Sequence, residues 1–213
     1  MIRHLFVLKF AALALFATIW LVPQQSDAQV MLEVNGKVGA TSATISDISY
    51  GDPIFDIGGG VQAAAMIRFV GGIAAGLNFN IQYDGHRMTG NPRGDSMSFF
   101  VPSVGVTARY ELMPMVNVGA WLNYCFGSAS VAKGNQEASW AVQGFEGGAS
   151  LALNYQMKPY KTFVILGLYA YFEYLQLFLD ENNLSEKTNY TDMNAPNNIG
   201  IGALLGVRFD LTL

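Results

Sequence analysis

The sequence predicts an all-β protein, an eight-stranded antiparallel up-and-down transmembrane β-barrel preceded by a cleaved signal-peptide helix. Three observations carry that expectation. The last fifteen residues, 199–213, alternate almost without fault, and the same alternation recurs six more times along the chain. The connections between the alternating segments are short and long in turn. The composition is 51% hydrophobic and only 13% charged, against about 25% charged in soluble domains. Such a chain lacks the charge to clothe a soluble surface, and it is too apolar and aromatic to stay disordered.

Residues 1–28 read as a secretory signal. Arg3, His4 and Lys9 form a positive start, residues 10–22 are apolar except for Thr18, and Ser26-Asp27-Ala28 fits a small-x-small cleavage site. The competing reading is an anchor helix, but thirteen apolar residues fall short of the ~20 a span needs. Residues 29–213 are then a single barrel domain. Loss of Arg3, Lys9 and Asp27 leaves 10 basic and 15 acidic residues, and no basic stripe that would bind nucleic acid. The single cysteine, Cys125, excludes an internal disulfide. A small residue packed in a strand is the plainer reading of it than a reactive thiol.

Strand side chains point alternately to opposite faces. The first predicted strand, residues 30–40, sets Val30, Leu32, Val34, Val38 and Ala40 against Met31, Glu33, Asn35, Lys37 and Gly39. The second, 59–69, sets Val61, Ala63, Ala65, Ile67 and Phe69 against Gln62, Ala64, Met66 and Arg68. The third, 73–84, opposes Ile73, Leu77, Phe79, Ile81 and Tyr83 to Asn78, Asn80, Gln82 and Asp84. The fourth, 100–112, opposes Val104, Val106, Tyr110 and Leu112 to Ser103, Thr107, Arg109 and Glu111. Pro102 removes a ladder donor there, so a bulge is expected beside it.

The fifth, 116–126, sets Val118, Leu122, Tyr124 and Phe126 against Asn117, Trp121, Asn123 and Cys125. The sixth, 145–155, sets Phe145, Leu151, Leu153 and Tyr155 against Glu146, Ser150 and Asn154. The seventh, 162–174, contains the uninterrupted apolar run 163–172. Its β-branched and aromatic content and Glu173 favour a strand with a partly apolar inner side over a helix. The eighth places Ile199, Ile201, Leu205, Val207, Phe209, Leu211 and Leu213 opposite Leu204, Arg208 and Asp210.

Short turns fall near Val70-Gly71-Gly72, Met113-Pro114-Met115 and residues 156–160; long polar links fall at 41–57, 85–99, 127–144 and 176–198. That is the rim pattern of transmembrane barrels. Alternation alone does not say which face points inward, because soluble barrels carry apolar residues inside. Charge decides. The apolar sets hold no Asp, Glu, Lys or Arg, whereas the opposite sets hold Glu33, Lys37, Arg68, Asp84, Arg109, Glu111, Glu146, Arg208 and Asp210 among Gly, Ala, Asn and Ser. Sparse charge of both signs suits a lumen where ions pair. A charge at the lipid midplane would instead cost ~2–4 kcal/mol. Aromatics gather toward both rims, with Phe69, Tyr110, Tyr155 and Phe209 at one and Tyr83, Phe100, Tyr124, Phe126 and Tyr174 at the other.

On these residues the chain resembles the small eight-stranded outer-membrane β-barrels of Gram-negative bacteria, the OmpA-transmembrane-domain and OmpX-like group. The most specific local likeness is the C-terminal assembly signal Gly-x-x-hydrophobic-x-hydrophobic, met by Gly206, Phe209 and Leu211 and extended by Leu213. The group usually ends on Phe and carries a polar residue where this chain has Leu204. The resemblance implies an outer-membrane location. It further implies contact with outer-membrane lipid and lipopolysaccharide, recognition by the assembly machinery, and a monomeric state.

Little in the sequence speaks for chemistry, and no cofactor is expected. His86 is the one histidine after the signal segment, set in the second long link with Asp95-Ser96. Any His-based metal site or Ser-His-Asp triad must use it. A solvated loop histidine is the plainer reading. Gly200, Gly202 and Gly206 lack the spacing of a dinucleotide fingerprint and read as lumen glycines beside bulky neighbours such as Trp121. The long links are acidic, with Asp47, Asp52, Asp56, Asp84, Asp95, Glu137, Asp180, Glu181, Glu186 and Asp192 against Arg87, Arg93, Lys133 and Lys187. An eight-stranded barrel is just wide enough to fill with side chains. The expectation is therefore a structural or surface-interaction barrel whose lumen is plugged by Glu33, Lys37, Arg68, Arg109, Glu111, Glu146, Arg208 and Asp210. The alternatives are a narrow porin-like channel and, behind it, a lipid-modifying enzyme using His86.

Overall fold

The structure is a computed structural model, and it describes residues 29–44, 56–69, 71–87, 96–133, 136–157, 161–179 and 197–212. Predicted residues 1–28 and Leu213 lie outside that set. Eight strands follow one another: β1 (Gln29–Thr44), β2 (Asp56–Arg68), β3 (Ile73–Arg87), β4 (Ser96–Met113), β5 (Val116–Lys133), β6 (Gln136–Met157), β7 (Thr162–Leu179) and β8 (Asn197–Thr212). Each pairs antiparallel with the next, and β8 returns to β1 to close the barrel. Among the described residues no helix is long and apolar enough to cross a membrane.

The register fixes the barrel's shape. Starting at Val34 and stepping across each ladder, the partners are Ala63, Phe79, Val104, Tyr124, Phe145, Tyr174 and Asn197. Asn197 pairs with Thr44, so one circuit climbs ten residues along β1. That stagger across eight strands about 4.8 Å apart tilts them by about 40°. Ten is an even number, so every side chain keeps its face around the circuit.

The faces are inside-out for a soluble protein. Every described member of the apolar sets points outward, and large residues such as Leu122, Leu168, Ile201 and Leu205 stand about 60% exposed. Among the described residues the buried polar and charged side chains outnumber the buried apolar ones, 21 to 17. A monomer in water rarely shows an apolar patch beyond a few hundred Å², whereas here the patch is the whole outer wall. The wall faces lipid. Aromatics mark both ends of it, with Tyr110, Tyr155 and Phe209 at the short-turn rim and Tyr83, Phe100 and Tyr174 at the other.

Gly71 and Gly72, both at positive φ (88° and 79°), turn the chain between β2 and β3. Two successive left-handed residues make the turn that matches strand twist, and glycine adopts it without a Cβ penalty. Gln29 pairs with Thr212, so both ends of the described barrel leave at this same rim.

Three expectations are corrected. The link predicted at 127–144 is largely strand, because β5 and β6 continue in unbroken register to Lys133↔Gln136. Small and polar residues such as Ser128, Ser130 and Ser139 hide the alternation there, and the Gly134-Asn135 pair between the strands is the stronger signal. No bulge forms at Pro102. The β4–β5 register is the same at Phe100↔Ser128 and Ser103↔Cys125, and it shifts instead between Glu111 and Met113, beside the Pro114–Met115 turn. Gly127 makes room for the proline, since a Cβ there would meet the Phe100 carbonyl and lie 3.1 Å from Pro102 Cδ. Third, His86 and Arg87 close β3 rather than opening a loop, with His86 paired to Met97. Asp56, Asp84, Lys133 and Glu137, counted among the loop charges, likewise belong to strands.

Candidate functional site

Among the described residues the bore is where polar side chains concentrate, because alternation sends every inner residue of eight strands toward a common axis. It divides into two tiers.

The tier nearest the short turns is balanced. It holds three arginines and three carboxylates: Arg68, Arg109 and Arg208 with Glu33, Glu111 and Asp210. Arg109 on β4 reaches across the bore to pair with Glu33 on β1. It also donates to Asn117 Oδ1 at 3.2 Å and Ser150 Oγ at 3.4 Å. Asn35 donates to the same Glu33 oxygen. Arg68 pairs with Glu111 and lies 3.7 Å from Asp210. Arg208 sits 2.9 Å from Asp210 and 3.6 Å from Glu111, with its guanidinium 4.0 Å from the Phe163 ring centre. Arg68, Glu111 and Arg208 also line an open cleft of about 520 Å³ at that rim, with Phe163, Gly71, Gly72, Met113 and Pro114.

The second tier lies toward the long links and is unbalanced. Lys37 is its ammonium. It stands 4.0 Å from Glu146 Oε1, donates to Gln82 Oε1 at 3.4 Å, and lies 5.4 Å from the ring centres of both Trp121 and Tyr169. Such contacts with ring faces stabilise a desolvated cation. Glu146 accepts from Trp121 Nε1 at 2.5 Å and from Asn80 Nδ2 and Ser103 Oγ, both at 2.9 Å. Asp84 accepts from Gln82 at 3.0 Å and from the Tyr171 hydroxyl at 2.8 Å. Glu173 accepts from Asn198 at 2.9 Å.

An apolar wedge fills the space between these groups. Trp121, Ala152, Ile165, Tyr169, Tyr171 and Leu204 pack into one buried cluster. The wedge explains why Leu204 stands where the resembled group has a polar residue: it faces the bore against other apolar side chains. Glycine makes the fit possible. A Cβ on Gly148 would fall within the Trp121 ring, and one on Gly200 within the Tyr171 ring. Gly148→Val is therefore expected to push Trp121 off Glu146 and cost ~1–3 kcal/mol by overpacking. A lower temperature for loss of the fast-migrating unboiled gel band checks this, and an unchanged temperature counts against the packing described.

Each of the eight lumen residues read from the sequence lies on the inner face. The sequence reading left Asp84 and Glu173 out of that set, and both are buried members of the second tier. The signal existed. Asp84 belongs to the polar set of its strand, and an acid at the end of an apolar run can only face inward. Phe99, Trp140, Val142 and Leu175, buried toward the long-link end of the bore, were missed with the extension of β4 to β7. The His86 side chain, Asp95 and the acids at 47, 52, 180, 181, 186 and 192 lie outside the described residues.

No known protein family matches the chain, and no curated protein matches it by sequence. Among solved structures it is similar to Neisserial surface protein A, at 16% identity and a TM-score of 0.47 over 84% of this chain and 97% of that one. It is also similar to Ail, the attachment invasion locus protein of Yersinia pestis in complex with a heparin analogue, at 15% identity and a TM-score of 0.47, covering 86% and 99%. A third likeness is to outer membrane protein OprG from Pseudomonas aeruginosa, at 6% identity and a TM-score of 0.44, covering 89% and 98%. By its own register and burial, the chain is an integral membrane β-barrel of eight antiparallel strands.

Proposed function

We propose that the protein is an outer-membrane barrel with a closed bore, whose role is structural or lies in interactions at the cell surface. One observation carries this reading: side chains from opposite walls meet across the bore at successive heights. Arg109 reaches Glu33, Lys37 reaches Glu146, and Tyr171 reaches Asp84. The aromatic wedge of Trp121, Tyr169 and Tyr171 occupies the space between them. Such a plug obstructs the passage of water and ions along the bore, so bulk diffusion is not its task on this reading.

Recognition then falls to the segments between strands at the rim opposite the short turns. The sequence of residues 45–55, 88–95 and 180–196 carries seven acids and two bases. Acids of this density attract divalent cations that bridge lipopolysaccharide, or a basic partner. Solubility alone is the plainer account of them. The barrel acts as a monomer, since the apolar wall meets lipid all round and the closed sheet leaves no edge to pair. Phe209 and Leu211 lie on the lipid-facing side of β8, where assembly factors reach them with Gly206 of the same strand.

Single-channel recording in planar bilayers tests the closed bore. The expected result is a silent bilayer, and steady openings of ionic size would establish the narrow-channel reading in its place. The enzymatic reading rests on His86 alone. Unchanged lipid A in cells carrying His86→Ala is the outcome expected, and a loss of lipid modification would overturn it.

A further inference from the structure

The second tier of the bore carries more negative charge than it can balance. Glu146 and Glu173 are direct cross-strand partners on β6 and β7, and neither carboxylate is exposed. Like charges set opposite one another destabilise a sheet, and burial sharpens the cost. Asp84 joins them through Gln82 and Lys37. Lys37 is the only base these hydrogen bonds and ion pairs reach, so three carboxylates and one ammonium leave a net charge of −2 among the described residues.

Protons do not fit this arrangement well. Glu146 accepts from Trp121, Asn80 and Ser103, which fills three of the roughly four acceptor positions of an ionised carboxylate. Glu173 takes Asn198 on Oε2, while its Oε1 is buried with no hydrogen-bond partner among the described residues. A proton shared between Glu173 and Glu146 would cancel one of the two excess negative charges and leave the other unmet. A bare, buried acceptor oxygen beside a second carboxylate calls for a positive charge.

A third group points at the same place. Cys125, buried on β5, brings its sulfur so close that one ligand atom from each of Cys125, Glu146 and Glu173 lies within 4.8 Å of the other two. A zinc-class ion sits about 2.3 Å from sulfur and about 2.0–2.2 Å from a carboxylate oxygen, so three ligands grouped around it stand about 3.4–3.8 Å from one another. Side-chain movements of up to about 1 Å therefore let a single ion touch all three.

We propose that Cys125, Glu146 and Glu173 form a buried binding site for one divalent cation of the zinc and cadmium class. One soft sulfur and two oxygens suit such a borderline ion. Magnesium and calcium, which take six or more oxygen ligands, are not matched by this set. Cys125 binds as the thiolate and releases its proton to solvent, which takes the tier from −2 to −3; the ion's two positive charges bring it to −1, and the ion ties β5, β6 and β7 together inside the bore.

Cadmium is the probe, because its bond to sulfur gives an ultraviolet charge-transfer band. The full mature chain, folded in detergent micelles and stripped with EDTA, is titrated with Cd²⁺. The expected result is one Cd²⁺ per chain with the sulfur band, displaced by Zn²⁺ and not by Mg²⁺. Cys125→Ser removes the band, and both Cys125→Ser and Glu173→Gln weaken binding by about 100-fold or more. His86→Ala leaves it intact. Fast migration of the unboiled protein shows that each variant is folded. The wild-type titration decides the matter even where a variant fails to fold: no sulfur band at one equivalent overturns the proposal. So does binding that survives Cys125→Ser and Glu173→Gln unchanged. Glu173→Gln that raises thermal stability while EDTA leaves the wild type unaltered would instead assign a proton to that carboxyl.

Discussion

Arg109→Ala is expected to cost about 3–5 kcal/mol, the range for removing one partner of a buried ion pair. The arginine is buried and holds Glu33 across the width of the bore from β4 to β1. Without it, the Glu33 carboxylate stays sealed from water with only Asn35 donating to it, and Asn117 and Ser150 each lose a partner. Urea unfolding in lipid vesicles, followed by tryptophan fluorescence, measures the loss. The damage belongs to the orphaned charge rather than to the missing contact. The double variant Glu33→Leu with Arg109→Met is therefore expected to recover most of the stability, because an apolar pair of similar volume avoids burying any charge. A single variant within 1 kcal/mol of wild type, or a double variant no better than the single, would show that the pair does not hold the walls together.

Leu205→Arg is expected to cost ~2–4 kcal/mol, since its side chain meets lipid well inside the membrane. Leu205 is exposed on β8 beside Leu166 of β7, between the outward aromatics Phe209 and Tyr174 toward the two rims. Arg208, three residues away, is equally charged and carries no such penalty, because its side chain faces Asp210 and Glu111 inside. One strand thus contains its own control. The effect of charge depends on the parity of the position, not on proximity to the chain end. Unchanged unfolding in vesicles for Leu205→Arg would mean that the outer wall does not face hydrocarbon.

Much of this architecture was legible in the residues because a half-polar strand is the strongest periodic signal a sequence carries. Leu32 and Glu33 announce opposite faces by chemistry alone, and so do Phe79 and Asn80. The signal failed where small residues blur the contrast, as along Ser128–Ala132, and there the strand ends were set too early. It also failed at Pro102, where a local rule about donors gave way to a glycine on the neighbouring strand. The second tier of the bore was only half legible. Lys37 and Glu146 declare themselves as charged members of polar sets, but their encounter with Asp84, Glu173 and Cys125 depends on the ten-residue climb of the register. No local pattern encodes that climb, since each hairpin contributes its own offset.

The seam between β1 and β8 makes folding an affair of the entire chain. Gln29 finds its neighbour at Thr212, so the closing ladder joins the first and last of the described strands. Contacts so distant in sequence require the largest loop to close last and make for slow maturation. Until that moment β1 and β8 are open edges, each a template for pairing with another chain. The time between synthesis and closure is therefore the stage at which this protein is most vulnerable to aggregation. A substitution that merely delays β8 would reduce yield without altering the finished barrel.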